Sequence, residues 1–497
     1  MFSGKNLSVF IIWIIYCIVT FLAVLHHEPN RDEATYWLVA RDMNFLEFFS
    51  FIRFCGHPGT WFFLLMPFAK AGMPYFSAGI IHWILISIAA AAFLFKAPFN
   101  LFFKSLFVFS YYMIFQYATN IKDYNLTIVL LFLIASIYEK RFEHKLLFSL
   151  LVFFLFNSNV HSFGAALALM LIYIGDAYRE NKLEQMALPV SIMLAGCAAL
   201  IIQLYPSADL PVNTSIYHHI FPPMNIDTAW ILLTRTQNAF IPVDSQYHEL
   251  KVALLFFLFL LFVLAVFSNR IPVFVFLFTS SFWMFYLFST KVPGGLRHVG
   301  LLLIFVVFSL WIESFYLRKE NFFSKAIGRI INFSFADYAI KLFIGACLFI
   351  NVIFGLSTLR KEFRYSFTGA KEAGTFIANN IPAQSEVACY NAYTAVGIAP
   401  YIPDIKLWFV DRKEYGTYYL LDSVYLKYGN ALSEQQVLER CKEKYGNGKS
   451  ILLLLNVPLS EEASSQNSAH LLFQNKIPIW TGSKEIFWLY RITFPNE

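Results

Sequence analysis

The chain has 497 residues, of which 58% are hydrophobic, 19% aromatic and only 14% charged. This composition excludes a soluble globular protein, because so many apolar side chains, including 57 Phe, need a lipid environment to be hidden from water. The formal charge of +6 does not require a nucleic-acid partner, since the loops of membrane proteins collect Lys and Arg for topological reasons.

Eleven apolar segments are predicted to cross the membrane as helices. The first, residues 7–25, carries no charge, follows Lys5 and ends without the small-residue pattern of a cleavage site, so we expect a retained anchor. The charge-free run 146–175 is divided into a hairpin, because both of its flanks are basic. In chain order, the predicted spans are residues 7–25, 75–95, 99–117, 124–138, 146–158, 162–174, 188–205, 252–268, 271–289, 299–312 and 342–358.

The apolar segment 60–68 decides the topology. It is short and framed by Pro58 and Pro67, which leaves open either a twelfth span or a helix lying in the membrane interface. If it does not cross, the inner loops collect 14 of the 23 Lys and Arg residues that precede position 360; if it does, they collect only seven. Because basic residues accumulate in cytoplasmic loops, we predict a multi-pass protein of a cell membrane, such as a bacterial inner membrane. Its N-terminus is then cytoplasmic and its C-terminal domain extracytoplasmic.

Charge is concentrated at the end of the chain. Residues 360–497 hold 29 of the 70 charged residues in 138 positions, and residues 1–359 hold the other 41. We therefore expect a membrane domain, 1–359, and a small extracytoplasmic α/β domain, 360–497. Its helices are predicted at 368–380 and 433–445 and its strands at 386–390, 406–410 and 450–457.

The C-terminal domain contains neither GxGxxG nor GxxxxGKS, so a nucleotide-binding site has no support. Its cysteines, Cys389 and Cys441, leave open a disulfide, which sequence spacing alone does not establish.

Polar side chains that look out of place in so apolar a chain fall on the predicted outer side. The first external loop, residues 26–57, contains an acidic pair among several His and Arg residues. A carboxylate can act as a general base on a hydroxyl, and Arg, Lys and His can hold a phosphate. Charged residues in short loops are usually solvated caps, but this density favours one pocket at the outer membrane boundary. The candidates are Asp32 and Glu33 as catalytic residues and Arg31, His57, Tyr117, Lys122, Tyr124, His161, Lys291, Arg297 and His298 as substrate-binding residues.

Two polar residues have alternative roles that the sequence leaves open. Asp123 either orients a substrate or pairs with its neighbour, Lys122. His161 either lines the pocket together with Asn159 or is a packed, hydrogen-bonded histidine.

The acidic pair Asp32-Glu33 after the first span, the His57-Pro58 element, the many spans and the outer C-terminal domain together resemble the GT-C class of membrane glycosyltransferases. The resemblance is to the protein O-mannosyltransferase and aminoarabinose transferase types, and it implies a polyprenyl-phosphate-linked sugar as donor. It also implies that Asp32 is the catalytic base and that Glu33 supports its position. His57 would shape the pocket, and Arg297 with the residue after it would lie near the lipid phosphate. The chain departs from the family where Gly59 replaces a second Pro.

The implied reaction needs a base for the acceptor hydroxyl and positive charge for the departing phosphate. The expected acceptor is a surface glycan, lipid or protein, the other partners are membrane lipids, and no nucleic acid is expected. No cofactor is required, and a divalent metal has no supporting motif.

Two other classes of function remain alternatives. A transporter or flippase of lipid-linked sugars would carry charges within its spans and have related halves, whereas these apolar runs are almost free of charge and show no internal repeat. A membrane acyltransferase of surface glycans would need a His or Ser nucleophile arrangement within the spans, for which only His82 and His161 qualify.

Overall fold

The computed structural model describes residues 4–205, 225–243, 249–291, 294–419, 432–481 and 485–495. Within these ranges most of the chain is helical. The α-helices are α1 (Gly4–His26), α2 (Arg31–Asp42), α3 (Phe45–Cys55), α4 (Thr60–Lys70), α5 (Phe76–Lys96), α6 (Leu101–Val108), α7 (Tyr124–Ile137), α8 (Lys145–Phe156), α9 (Phe163–Arg179), α10 (Ala187–Leu204), α11 (Ile226–Phe240), α12 (Leu250–Phe267), α13 (Ile271–Thr290), α14 (Leu296–Ile312), α15 (Phe322–Gly328), α16 (Phe333–Glu362), α17 (Ala370–Asn380), α18 (Ala392–Ala395), α19 (Glu434–Tyr445) and α20 (Glu461–Gln466). Short 3₁₀-helices lie at Tyr138–Lys140, Val160–Ser162, Leu183–Gln185, Glu313–Phe315 and Ala399–Tyr401, and a π-helix at Tyr112–Gln116.

Eight helices of the described ranges are long and apolar enough to cross a membrane. Each has at least 18 residues, which at about 1.5 Å per residue approaches the ~30 Å thickness of the hydrocarbon core. The chain is therefore a multi-pass membrane protein. These helices extend over Asn6–His26, Phe76–Lys96, Val160–Arg179, Ala187–Leu204, Leu250–Phe267, Ile271–Thr290, Leu296–Phe315 and Phe333–Glu362.

The other three predicted spans are also helical, but they are shorter. Residues 99–117 form α6 and the π-helix, residues 124–138 form α7, and residues 146–158 form α8. The apolar run 146–175 breaks between α8 and α9, where the Asn159 side chain accepts a hydrogen bond from the backbone N–H of His161 at 2.9 Å. The division of this run into two helices is therefore correct.

The predicted first external loop is largely helical, because α2 and α3 occupy it. Segment 60–68 lies within α4, which has 11 residues and is thus about 16 Å long, half the thickness of the hydrocarbon core. Trp61, Phe62 and Leu65 of α4 are buried in one apolar cluster with Tyr36 and Trp37 of α2. Helix α4 is too short to be a twelfth span, and it supports α2 from the side.

Helix α11 was not predicted. The backbone oxygen of Asn238 accepts a hydrogen bond from the Tyr112 hydroxyl, and that of Phe240 accepts one from Asn351 at 2.6 Å. The Phe240 ring also stacks on Phe256 with centroids 5.7 Å apart. Helix α11 is therefore inserted among the membrane helices, although its polar residues interrupt the apolar pattern that predicts a span.

The C-terminal part contains six strands, β1 (Glu386–Tyr390), β2 (Lys406–Phe409), β3 (Glu414–Tyr415), β4 (Ser450–Leu455), β5 (His470–Gln474) and β6 (Trp488–Thr493). They form one sheet with the order β3-β2-β1-β4-β6-β5. Strands β2, β1 and β4 are parallel, and the remaining pairs are antiparallel. The three predicted strands are these central parallel ones. The fold class, a polytopic helical membrane protein with a small α/β domain, is confirmed.

Cys389 and Cys441 are free thiols. Cys389 packs on one face of the sheet with Ile377 of α17, whereas Cys441 of α19 packs on the other face with Trp408. The disulfide that the sequence left open is therefore not formed, because the sheet separates the two sulfur atoms.

Candidate active site

The candidate site begins at the first turn of α2, immediately beyond the first membrane helix. The Asn30 side chain accepts hydrogen bonds from the backbone N–H groups of Asp32 at 3.0 Å and Glu33 at 3.2 Å, and Glu33 Oε2 accepts one from the Asn30 N–H at 2.7 Å. This capping box fixes both acidic residues at the helix N-terminus. Neighbours in a helix point about 100° apart, so the two carboxylates reach different surroundings.

Asp32 faces a cluster of cations. Its Oδ2 lies 2.8 Å from Lys122 Nζ and 3.6 Å from an Arg297 guanidinium nitrogen, and its Oδ1 lies 3.9 Å from Arg31 Nε. Burial opposes ionisation, but Lys122 and then Arg297 outweigh it and hold the pKa of Asp32 well below its usual range. The side chain remains 29% exposed. Asp32 is thus an ionised carboxylate that is open on one side, and the structure brings it together with Lys122 and Arg297.

Glu33, in contrast, is enclosed. Its Oε1 accepts a hydrogen bond from the Ile121 backbone N–H at 2.5 Å and lies 3.1 Å from His27 Nε2. His27 Nδ1 lies 2.7 Å from Glu362 Oε1. Burial disfavours the charged imidazole, but Glu33 and Glu362 prevail and raise the pKa of His27 to about 10. This buried chain of charges joins the ends of α1 and α16 to α2, so Glu33 fixes the position of α2.

His57 contacts a second carboxylate, that of Asp123. His57 Nδ1 lies 3.0 Å from Asp123 Oδ2, which also accepts a hydrogen bond from Asn159 at 2.9 Å. The Asp123 side chain is fully buried, whereas 31% of the His57 side chain is exposed. Asp123 therefore does not pair with Lys122, and that alternative is wrong. The carboxylate holds one side of the imidazole and leaves the other accessible.

A cluster of three buried rings lies at the N-terminal ends of α7, α9 and α14. The rings of His161 and His298 are 4.8 Å apart, and the Tyr124 ring is 5.6 Å from His298 and 6.0 Å from His161. His161 Nδ1 lies 2.7 Å from Asn159 Oδ1, and His298 Nδ1 accepts a hydrogen bond from the Gly295 N–H at 2.7 Å. Both histidines are packed and hydrogen-bonded, so of the two roles left open for His161 the geometry favours packing.

Tyr117 contacts the backbone of Arg297. Its hydroxyl donates a hydrogen bond to the Arg297 backbone oxygen at 2.9 Å, and its own backbone oxygen lies 2.9 Å from His82 Nε2. A Cβ at Gly300 would lie 2.6 Å from that hydroxyl, so the close approach needs a glycine. Tyr117 is buried, and its hydroxyl holds the backbone of Arg297.

Arg31 faces the C-terminal domain. Its guanidinium lies 2.8 Å from Glu485 Oε1 and 3.9 Å above the centre of the Tyr393 ring. The Glu485 side chain is only 1% exposed, and this burial raises its pKa to about 7 although Arg31 opposes the shift. Arg31 therefore anchors α2 to the C-terminal domain.

The predicted binding residue Lys291 lies at the C-terminal end of α13. It follows α13, where its backbone N–H donates to the Leu287 oxygen at 2.9 Å. Across the described ranges, no group of three or more His, Cys, Asp or Glu side chains is arranged to hold a metal ion.

Two carboxylates of the network were not predicted from the sequence. Glu362 and Glu485 contact residues 335 and 454 positions away, and no local pattern signals such partners. Asp123 did carry a signal, because it precedes an apolar helix on the same predicted side as Asp32.

The chain is similar to solved structures of another membrane protein. No protein-family model and no curated protein sequence matches the chain. The crystal structure of ArnT from Cupriavidus metallidurans bound to undecaprenyl phosphate aligns with a TM-score of 0.53 and 10% sequence identity over 98% of each chain. The chain shares the fold of ArnT. The apo structure of ArnT from the same organism aligns with the same TM-score and coverage at 12% identity.

The ArnT-like fold covers both the helical bundle and the C-terminal sheet, since 98% of the chain is aligned. The resemblance to GT-C membrane glycosyltransferases, predicted from the acidic pair, the His57-Pro58 element and the order of spans, is confirmed for the fold.

Proposed function

We propose that this protein is a membrane glycosyltransferase that transfers a sugar from a polyprenyl-phosphate donor to a hydroxyl of an extracytoplasmic acceptor, which is a surface glycan, a lipid or a protein. The observation that carries the proposal is the cluster of Asp32, Lys122 and Arg297 at one end of the ArnT-like bundle. ArnT itself has been crystallised with undecaprenyl phosphate, which supports a lipid of that class as the donor carrier here.

Lys122 and Arg297 supply the positive charge that a donor phosphate needs. A guanidinium presents paired donors to phosphate oxygens, and an ammonium acts as a point charge. In the structure both cations share the single charge of Asp32, at 2.8 and 3.6 Å. A bound phosphate competes for both cations, so we expect them to turn from the carboxylate toward the donor.

Asp32 then becomes the base. Once Lys122 and Arg297 neutralise the phosphate, the pKa of Asp32 rises toward its usual range and the carboxylate can accept the acceptor's hydroxyl proton. The acceptor oxygen bonds to the anomeric carbon while the bond from that carbon to the phosphate oxygen breaks. The electron pair stays on the phosphate oxygen, where the two cations stabilise it. The products are the glycosylated acceptor and the polyprenyl phosphate, and the scheme needs no cofactor or metal.

We place this site on the extracytoplasmic side. Helices α7, α9 and α14 begin at the candidate site, and their opposite ends carry Arg141, Arg179 and Arg318. Basic residues favour the cytoplasmic side, so the end with Asp32 and the C-terminal domain faces outward.

Lipid extraction tests the function in cells. Cells that lack the protein should accumulate a polyprenyl-phosphate sugar, and the wild-type gene should restore the normal lipid profile. The Asp32→Asn variant should not restore it, whereas Asp42→Asn, at the other end of α2, should. An unchanged lipid profile in the deletion strain would contradict the proposal, and restoration by Asp32→Asn would favour the transporter alternative.

A further inference from the structure

A cavity of about 350 Å³ lies at the end of the bundle opposite Asp32. It is lined by Arg141 after α7, by the end of α9, by the start of α13 and, after α14, by residues 315–317 and Lys319. Helix α14 has 17 residues and begins with the turn that holds Arg297, so the cavity is about 25 Å or more from the candidate active site. It is a separate site.

The cavity lining has an excess of positive charge. Four cations line it, Arg141, Arg179, Arg270 and Lys319, together with two carboxylates, Asp176 and Glu180.

The carboxylates of the lining are already engaged. Asp176 lies 2.9 Å from Arg141 and 3.7 Å from Arg179 and accepts a hydrogen bond from the Tyr316 hydroxyl at 2.5 Å. Glu180 pairs at 2.5 Å with Lys182, which is outside the lining. Asp176 is thus paired with two of the four lining cations. Arg270 is paired with two carboxylates outside the lining, Asp337 at 3.2 Å and Glu313 at 3.8 Å. The exposed Lys319 has no ion-pair partner among the described residues.

Buried polar atoms around the cavity also lack partners. Asn269 is 4% exposed, and neither its amide nitrogen nor its amide oxygen has a hydrogen bond in the described part of the chain. The same holds for Nε of Arg141 and for Nε and one terminal nitrogen of Arg270. Leaving a buried polar group without a hydrogen bond is unfavourable, so such groups normally bind water or a ligand. Most of these atoms are donors, which suits an anion.

Exposed apolar side chains occur in the lining and close to it along the chain. Leu317 is 84% exposed, and Phe322 and Phe323, three and four residues beyond Lys319, are 83% and 69% exposed. Large apolar side chains beside Lys and Arg are typical of segments in a membrane interface. An anion that binds here therefore has hydrocarbon next to it.

We propose that this cavity binds a phosphate group, held by Arg179, Lys319 and Asn269. Phosphate is the anion whose several acceptor oxygens match a set of convergent guanidinium, ammonium and amide donors. The group belongs either to an anionic phospholipid or to a soluble phosphate. The exposed apolar side chains favour the lipid, whose acyl chains would contact Leu317 and Phe322.

Native mass spectrometry of the purified full-length protein tests this site, with phosphatidylglycerol, phosphatidylcholine and inorganic phosphate as probes. The test variant is Arg179→Gln with Lys319→Gln, because both side chains are exposed. The matched control is Lys182→Gln with Lys325→Gln, which removes the same charge from nearby positions outside the lining. Thermal unfolding without added probe confirms that both variants are folded.

The wild type and the control should retain phosphatidylglycerol over phosphatidylcholine. The test variant should bind phosphatidylglycerol roughly thirtyfold more weakly, since it lacks two basic residues that each contribute about 1 kcal/mol at an anionic surface. If inorganic phosphate does not displace the retained phosphatidylglycerol, the site is assigned to the lipid. Stabilisation by inorganic phosphate, lost in the test variant, assigns it to a soluble phosphate. Equal binding of both anionic probes by the wild type and the test variant, or binding of neither by the wild type, would overturn the proposal.

Discussion

Asp32 and Glu33 are adjacent residues with different surroundings. Asp32 is partly open and lies against Lys122 and Arg297, whereas Glu33 is closed off by His27 and the backbone of Ile121. Of the two side chains, that of Asp32 is partly exposed and that of Glu33 is fully buried. Glu33 holds the helix that presents Asp32.

At the residue scale, we first predict that Glu33→Gln lowers stability more than it lowers turnover. The change removes one charge from the buried contact with His27 and Glu362, which we expect to cost ~3 kcal/mol. Thermal unfolding of the purified variant and the rate of sugar transfer at a temperature where it is folded measure the two effects. A variant of normal stability without activity would instead place Glu33 in the chemistry.

Arg297→Ala should weaken the use of the donor. Arg297 lies 3.6 Å from Asp32, and its backbone is held by the Tyr117 hydroxyl, so its guanidinium is positioned for a phosphate. We expect the KM for the donor to rise roughly tenfold, as for the loss of one charge-assisted contact. Arg41→Ala is the control, because Arg41 pairs with Asp42 at the far end of α2. Equal donor KM values in the two variants would show that Arg297 is a solvated cap.

The sequence predicted the residues of the site better than their partners. Asp32, Lys122 and Arg297 were recognised as chemistry-bearing residues and do lie together. The partners Glu362 and Glu485 were not, because a contact across hundreds of residues depends on helix packing and leaves no local pattern.

At the scale of elements, the contact between α2 and the C-terminal domain depends on Glu485. Its pKa is raised to about 7 in the folded protein from the model-compound value of 4.5. The folded state therefore binds an extra proton between pH 4.5 and 7. The stability that this carboxyl contributes is present in full below pH 4.5 and is lost as the pH rises through 7.

Glu485→Gln should remove this pH dependence, because an amide does not titrate. Melting temperatures of the wild type and the variant, measured from pH 4.5 to 8, should show a decline in the wild type relative to the variant, worth about 3 kcal/mol across the window. Glu443→Gln is the control, since Glu443 is exposed on α19 and pairs with Lys413. Parallel curves for the wild type and Glu485→Gln would contradict the assignment.

Elements with a continuous apolar pattern were predicted well, and elements shaped by tertiary contacts were not. The ends of α5 and α13 differ from the predicted spans by one residue. Helix α11 was missed because its stability depends on Tyr112 and Asn351 bonding its backbone oxygens. Strand β5 was missed because it is a largely exposed strand at the edge of the sheet, where it pairs with β6. Strand β6, which joins β5 to the parallel strand β4, was missed as well.

At the scale of the whole molecule, the relative direction of α1 and α16 bears on the number of membrane spans. The C-terminal ends of α1 and α16 meet through His27 and Glu362, so both helices run in the same direction. If α1 is the first span and α16 the last, their common direction requires an odd number of spans, and the predicted number, eleven, is odd.

We accordingly predict that a reporter fused after Lys361 is active only on the extracytoplasmic side. Phosphatase and fluorescent-protein fusions at this position, with a second pair after Lys319 as the opposite-side control, measure the orientation. A cytoplasmic signal after Lys361 would contradict the proposed topology and the placing of Asp32 outside.

The central claim is that Asp32 is the base of sugar transfer. The most direct measurement is sugar transfer from a polyprenyl-phosphate donor by the purified Asp32→Asn variant, with donor binding followed separately. Because asparagine keeps the shape and removes the charge, we predict a folded protein that still binds donor while turnover falls by roughly 10² or more. Near-normal transfer by a folded, donor-binding Asp32→Asn variant would contradict the mechanism.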